Sequence, residues 1–167
     1  VLPLGIEGTV LGEMTADAYS ISDDLADGGS TTRTHGSAGV ELRWPWVKAE
    51  AGGGTQVIEP VVQLLFSSSN AESLPNEDSA LVEFDEGNIF ALDRFPGSDA
   101  VERGPRANVG ISWTRFDPQG WSMGVTVGRV FREADLDQFG PGSGLSGVQS
   151  DWLAAANFTL SDSLALT

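Results

Sequence analysis

The chain has no cysteine and a single histidine, His35. Zinc sites of the usual kinds and a Ser-His-Asp triad therefore have no local support. Basic residues are few, Lys+Arg 9 against Asp+Glu 24, for a formal net charge of −15. That balance argues against the basic footprint through which proteins hold nucleic acid, and basic clusters that would attract anionic lipid are equally unsupported. No run reaches the roughly 18 apolar residues of a transmembrane helix, so a spanning helix is excluded. The Gly-rich segment 140–147 lacks the Gly-Lys-Ser/Thr ending of a phosphate-binding loop. Asp23, Asp24 and Asp27 lack the spacing of an EF-hand or a glycine-rich calcium repeat. The residues call for no metal, no cofactor and no catalytic centre, and the expectation is a protein that is not an enzyme.

What the chain does have is alternation. Its 167 residues, 40% of them hydrophobic, suffice for one domain with a sizeable core. Stretches 2–14, 33–47, 57–67, 106–116, 121–131 and 152–160 place apolar residues at every second position, and a last strand begins at 163. Period two is the signature of a strand with two unlike faces. Short turns at 51–54 and 117–120 imply antiparallel neighbours. Pro60, which has no ladder donor, is expected at a bulge or a weakened pairing site. Stretches 15–32, 68–105 and 133–150 carry no periodicity and are expected as long loops. The fold expected over 1–167 is all-β, an antiparallel up-and-down meander of about seven strands. The chain opens without a leader and stops inside a new strand, so a piece of something longer is expected.

The connections alternate long and short, as they do in outer-membrane barrels, and strands of about ten residues suit a tilted crossing of the hydrocarbon layer. Trp44, Trp46, Trp113 and Trp121 all fall beside short turns, where an aromatic girdle at a membrane interface would lie. The architecture expected is a fragment of a large outer-membrane β-barrel. A half-exposed soluble sheet has the same alternation, and pattern alone leaves it open. The polar parity collects Glu7, Glu13, Arg33, His35, Glu41, Arg43, Glu59, Gln63, Asn108, Ser112, Thr126 and Asn157, which in a barrel would face the lumen. Arg43 is expected between Glu7 and Glu59 on neighbouring strands. Arg129 departs from the rule by falling on the apolar parity, near a long loop, where it could snorkel to headgroup level. Arg94, Asp99, Glu102 and Arg103 form a charge cluster whose pairing would fold the loop over the lumen.

An ordered set of residues over about 56–113 resembles a known family. Ile58, Glu59 and Pro60 are followed by Asp78, Ser79, Phe84, Asp85, Asn88, Phe90, Arg94, Phe95, Gly97, Asp99, Glu102, Gly104, Arg106, Ala107, Asn108 and Gly110. The set resembles the LptD family, the lipopolysaccharide-assembly or organic solvent tolerance proteins, in the middle of the C-terminal barrel. The resemblance implies a Gram-negative outer-membrane location and release of lipopolysaccharide into the outer leaflet. It implies as partners an LptE-like plug lipoprotein, periplasmic lipopolysaccharide bridge proteins acting through an N-terminal domain, lipopolysaccharide itself and outer-membrane lipid. A general porin or transporter barrel is the alternative function.

Overall fold

The computed structural model of the chain describes residues 2–21, 29–70, 82–97, 100–161 and 164–166. Eight strand segments make one antiparallel sheet: β1 (Glu7–Ile21), β2 (Gly29–Arg43), β3 (Trp46–Ala49), β4 (Thr55–Ser69), β5 (Gly104–Phe116), β6 (Ser122–Arg132), β7 (Leu153–Ser161) and β8 (Leu164–Leu166). Their order is β1-β2-β4-β5-β6-β7-β8, with β3 beside β4. β3 continues β2 across a break at Trp44 and Pro45, and pairing with β4 resumes in the same register, Arg43↔Val61 before the break and Trp46↔Ile58 after it. The break lies opposite Pro60, whose carbonyl accepts the Trp44 N–H at 3.1 Å. Two prolines at one height leave the ladder short of donors there, the weakened pairing expected of Pro60. Counted as crossings, the sheet is a seven-strand up-and-down meander.

Glycine closes both tight turns. Gly53 (φ 87°) follows the Glu50 carbonyl, to which it donates at 3.0 Å, and Gly120 (φ 92°) donates to the Asp117 carbonyl at 3.0 Å. These conformations are open to glycine at little cost.

Two boundaries differ from the sequence reading. The stretch 15–32 is not all loop, because β1 runs on to Ile21 and β2 starts at Gly29. Alternation fades there into Ala16 and Ala18, but a ladder is held by backbone groups, and Arg33 bonds Asp17 directly across it at 2.7 Å. The acidic trio Asp23, Asp24 and Asp27 lies outside the described residues. At the start, Pro3–Gly5 forms a 3-10 turn with Leu4 at φ 66°, and strand geometry begins only at Glu7.

The sheet is inside out relative to a soluble one. Its apolar face is open: Val10 is 85% exposed, Leu64 52% and Ile111 47%. Its polar face is covered over β2 to β6, where His35, Glu41, Gln63, Arg106, Asn108 and Arg132 are buried. The cover is made by the long connections. Val82, Phe84 and Phe95 from the β4–β5 connection meet Phe139 and Leu145 from the β6–β7 connection over Val130 of β6, forming a small apolar cluster. Phe95 and Phe139 stack at 4.9 Å with their planes 8° apart.

Candidate functional site

The β4–β5 connection is shaped locally before it docks. The Asp85 carboxylate accepts the Asn88 N–H at 2.9 Å, while the Asn88 side chain accepts the Asp85 N–H at 3.2 Å and donates to the Glu83 carbonyl at 2.6 Å. Short polar side chains that bond nearby backbone in this way fix turns. Beyond this turn come Ile89 and Phe90, which reach the sheet. Gly110 and Gly128 are direct cross-strand partners on the polar face. A Cβ on Gly128 would lie 2.0 Å from Ile89 Cδ1, and one on Gly110 would lie 2.9 Å from Phe90 Cζ. The paired glycines are therefore a notch that receives the loop. Further on, the Asp93 carboxylate accepts N–H bonds from Phe95 (3.0 Å) and Glu102 (3.1 Å), closing the base of the loop.

Between loop and sheet lies a connected polar core. Glu102, fully buried, is 2.6 Å from Arg94, 3.0 Å from Arg132 and 3.6 Å from Arg106. Arg94 also donates to the Ile89 carbonyl (2.6 Å) and to Asn108 Oδ1 (2.8 Å). Asn108 donates to Gln63 Oε1 at 2.5 Å, and Gln63 donates to Glu41 (3.1 Å) and to the Phe90 carbonyl (3.0 Å). Glu41 accepts from Arg43 at 2.6 Å. On the other side Arg106 donates to Ser67 Oγ (3.0 Å) and to the Leu92 carbonyl. Ser67 in turn meets Ser37 at 2.8 Å, and Ser37 meets His35 at 3.0 Å. Arg132 donates to the Leu145 carbonyl at 2.8 Å and lies over the Phe139 ring at 4.7 Å, tying in the β6–β7 connection.

Burial and charge compete at these groups. Desolvation pushes the Glu102 carboxyl up, but the combined pull of Arg94, Arg106 and Arg132 outweighs it and leaves the pKa below the usual carboxylate value. Asp93 goes the other way: desolvation holds it above its usual value in spite of its two backbone N–H partners. Desolvation likewise lowers Arg94 below the ordinary guanidinium value, against the attraction of Glu102.

Most of the residues singled out in the sequence share one face. Glu41, Gln63, Asn108 and His35 enter the polar core. Arg43 bonds Glu59 at 2.8 Å and Glu41 at 2.6 Å. Glu7 is its cross-strand register partner, but the Arg43 ion pairs run to the two other glutamates, which lie along β2 and toward β4. Ser112 and Thr126 are opposite each other and half-buried, Glu7 and Glu13 on β1 are exposed, and Asn157 on β7 packs over Gly124. In the loop charge cluster Arg94 and Glu102 pair with each other. Arg103 is anchored through its backbone, its N–H and carbonyl both bonded to the Gln138 side chain, and Asp99 lies outside the described residues.

Trp44 and Trp46 meet edge to face at 4.8 Å, and Trp121 lies 5.9 Å from Phe158. Arg115 covers the Trp121 ring at 4.7 Å and pairs with Glu50 (3.0 Å) and Asp117 (3.2 Å), while Trp113 donates to Gln56 at 3.1 Å. A polar and aromatic belt thus borders the open apolar face at its short-turn end. Sequence reasoning missed Arg106, Arg132, Asp93, Ile89 and the notch glycines as members of the site. Arg132 and both glycines sit on the polar parity of their strands, a signal that was available; Asp93 and Ile89 lie in an aperiodic loop and gave none.

An antiparallel meander with an exposed apolar face, an aromatic border and a buried polar face is consistent with the wall of a membrane β-barrel. The family model described as LptD, LPS transport system D, matches residues 9–167, and the chain belongs to that family. It is a family of lipopolysaccharide-transport proteins of the Gram-negative outer membrane, not of enzymes. No curated protein matches the chain.

Proposed function

We propose that the chain is part of the outer-membrane translocon that inserts lipopolysaccharide into the outer leaflet, with its polar face lining the lumen and its apolar face against lipid. The inverted burial carries this reading: a soluble sheet would hide Val10, Leu64 and Ile111 and wet the polar side. The height of the open face supports it too. From Trp121, just before β6, to Phe131 the chain rises ten residues, roughly 34 Å along the strand and about 26 Å at a tilt of 35–45°, close to the apolar band of outer-membrane barrels.

In this arrangement the short-turn end with Trp44, Trp46, Trp113 and Trp121 faces the periplasm, and the loop carrying Arg94 and Glu102 folds inward from the cell surface. Glu7, Glu13 and Asn157, outside the area that the loop covers, face an LptE-like plug lipoprotein or passing lipopolysaccharide. Bridge proteins deliver the lipid through a periplasmic domain. No bond is made or broken: a hydrated lumen suits the sugar portion, and an apolar environment suits the acyl chains. Photo-crosslinkers placed in the full-length protein in cells test this. Positions Glu7, Glu13 and Asn157 are expected to capture lipopolysaccharide or the plug, and Val10, Ile111 and Val125 membrane lipid. Capture of neither at the first set, together with large ion conductance by the purified protein, would instead identify a general pore.

A further inference from the structure

Arg129 is the one charged side chain on the apolar face above the short-turn belt, among the described residues. The other basic residues on that face, Lys48 and Arg115, lie at the short-turn end, and Arg115 is neutralised by Glu50 and Asp117. Arg129 has no carboxylate within ion-pair distance among the described residues. Its Nε donates to the Ser150 carbonyl at 2.7 Å, which fixes the plane of the guanidinium. Two aromatic rings flank it, Trp152 at 5.3 Å and Phe131 at 5.8 Å. Below it Val125 and Val127 continue the apolar face toward the belt.

A half-buried cation without a counter-charge among the described residues is unusual in a chain of net charge −15, where a carboxylate partner would be easy to supply. With Nε engaged, the terminal nitrogens retain the forked N–H geometry that suits phosphate oxygens. Aromatic rings beside a charged group, above a continuous apolar surface, match an amphiphile whose head is anionic and whose tails run down the wall. We infer that Arg129, Trp152 and Phe131 form an external site for a phosphate on the headgroup of lipopolysaccharide in the outer leaflet. The assignment to lipopolysaccharide rather than phospholipid rests on the proposed function, which puts the long-loop end at the cell surface.

The test uses the full-length protein in nanodiscs, titrated with lipopolysaccharide, with the same lipid stripped of its phosphates, and with phosphatidylglycerol, and bound lipid is read by native mass spectrometry. Arg129→Gln is expected to weaken binding of the phosphorylated lipopolysaccharide about tenfold or more, as loss of a charge-assisted fork should, and to leave the dephosphorylated lipid unchanged. Arg129→Lys, which keeps the charge but not the fork, is expected to lose less. Equal binding by wild type and Arg129→Gln would overturn the site. An equal loss for phosphatidylglycerol would overturn the lipopolysaccharide assignment. Quenching of a fluorophore at Val125 by brominated lipid separates this from the parent reading: quenching without an Arg129 effect sinks only the site, whereas no quenching sinks the placement of the apolar face against lipid.

Discussion

Replacing Glu102 by Gln removes one negative charge from among three arginines while keeping the side chain's shape. In the wild type the carboxylate has Arg94 at 2.6 Å, Arg132 at 3.0 Å and Arg106 at 3.6 Å, all nearly excluded from water. The amide presents an NH2 where one oxygen had accepted, so a donor faces a donor and three guanidinium groups share the space with only the distant part of Asp93's charge. Removing one partner of a buried ion pair costs about 3–5 kcal/mol. Nearly all of it should fall on docking of the 82–103 loop, since the β4–β5–β6 ladder is held by backbone bonds, and the docked-to-open ratio should fall by roughly two to three and a half orders of magnitude. Hydrogen exchange in detergent or nanodiscs reads this directly: the Glu102 amide, bonded to Asp93, should lose protection while amides of β5 and β6 keep theirs. Adding Arg94→Gln to the variant should return part of the protection by removing excess positive charge. Unchanged loop protection in Glu102→Gln would refute the argument that this carboxylate anchors the loop. Equal loss in loop and strands would refute its separation from the ladder.

Other perturbations follow from the same geometry. The folded pKa of Glu102 is depressed, so its contribution to docking is full above the unfolded value of about 4.3 and disappears as pH falls through the lower folded value. Loop exchange should accelerate only in acid below that ordinary carboxylate value, and Glu102→Gln should abolish this acid limb. Asp93 has the opposite sign: its folded pKa is raised, so its carboxyl favours docking most below the unfolded value and opposes it as pH rises through the folded one. Asp93→Asn, which keeps an oxygen for the Phe95 and Glu102 N–H groups, should slow loop exchange at neutral pH. Gly128→Ala places a methyl 2.0 Å from Ile89 Cδ1 and 2.9 Å from the Val109 carbonyl oxygen and should cost about 1–3 kcal/mol; Ile89→Ala should recover only the loop's share, read by limited proteolysis within 82–97. Val125→Arg, in the middle of the apolar face, should destabilise the barrel by about 2–4 kcal/mol in denaturant titration from liposomes, whereas the same change at exposed Glu13 on the polar face should alter stability by less than about 1 kcal/mol.

The residues made the two faces of the sheet legible because period two records which neighbours a side chain meets. Thr34 to Trp46 and Val109 to Trp113 show this. The same rule hid the ends of β1 and β2, where Ala16 and Ala18 keep the parity with little apolar surface, Tyr19 and Ser20 reverse it and the stretch 29–32 holds no large apolar residue, while the backbone ladder continues. The polar core was half legible. Arg94 and Glu102 were marked as a pairing cluster, but the arginines that complete it come from two strands and are joined by register, which charge alone does not reveal. The notch was harder still: glycine on the polar parity reads as an empty position, and only the arrival of Ile89 and Phe90 shows that emptiness to be a socket. The Glu7 arm of the Arg43 pairing illustrates a further limit, since correct register does not fix which neighbouring carboxylate an arginine pairs with.

Arg132 and the Phe95–Phe139 stack also tie the cap to residues that follow it in the chain. Glu102 precedes β5, Arg132 closes β6, and Leu145 and Phe139 come later still. The loop that follows β4 therefore cannot reach its final energy until two further strands have joined the sheet, and until then it carries a carboxylate that is short of its arginine partners. Its full seating requires strands β4 through β6 to be in register. A mispaired β6 would set Arg132 on the wrong face, leave Glu102 undercompensated and keep the loop open to proteases. The polar core would then serve as a proofreading step for the wall that it covers.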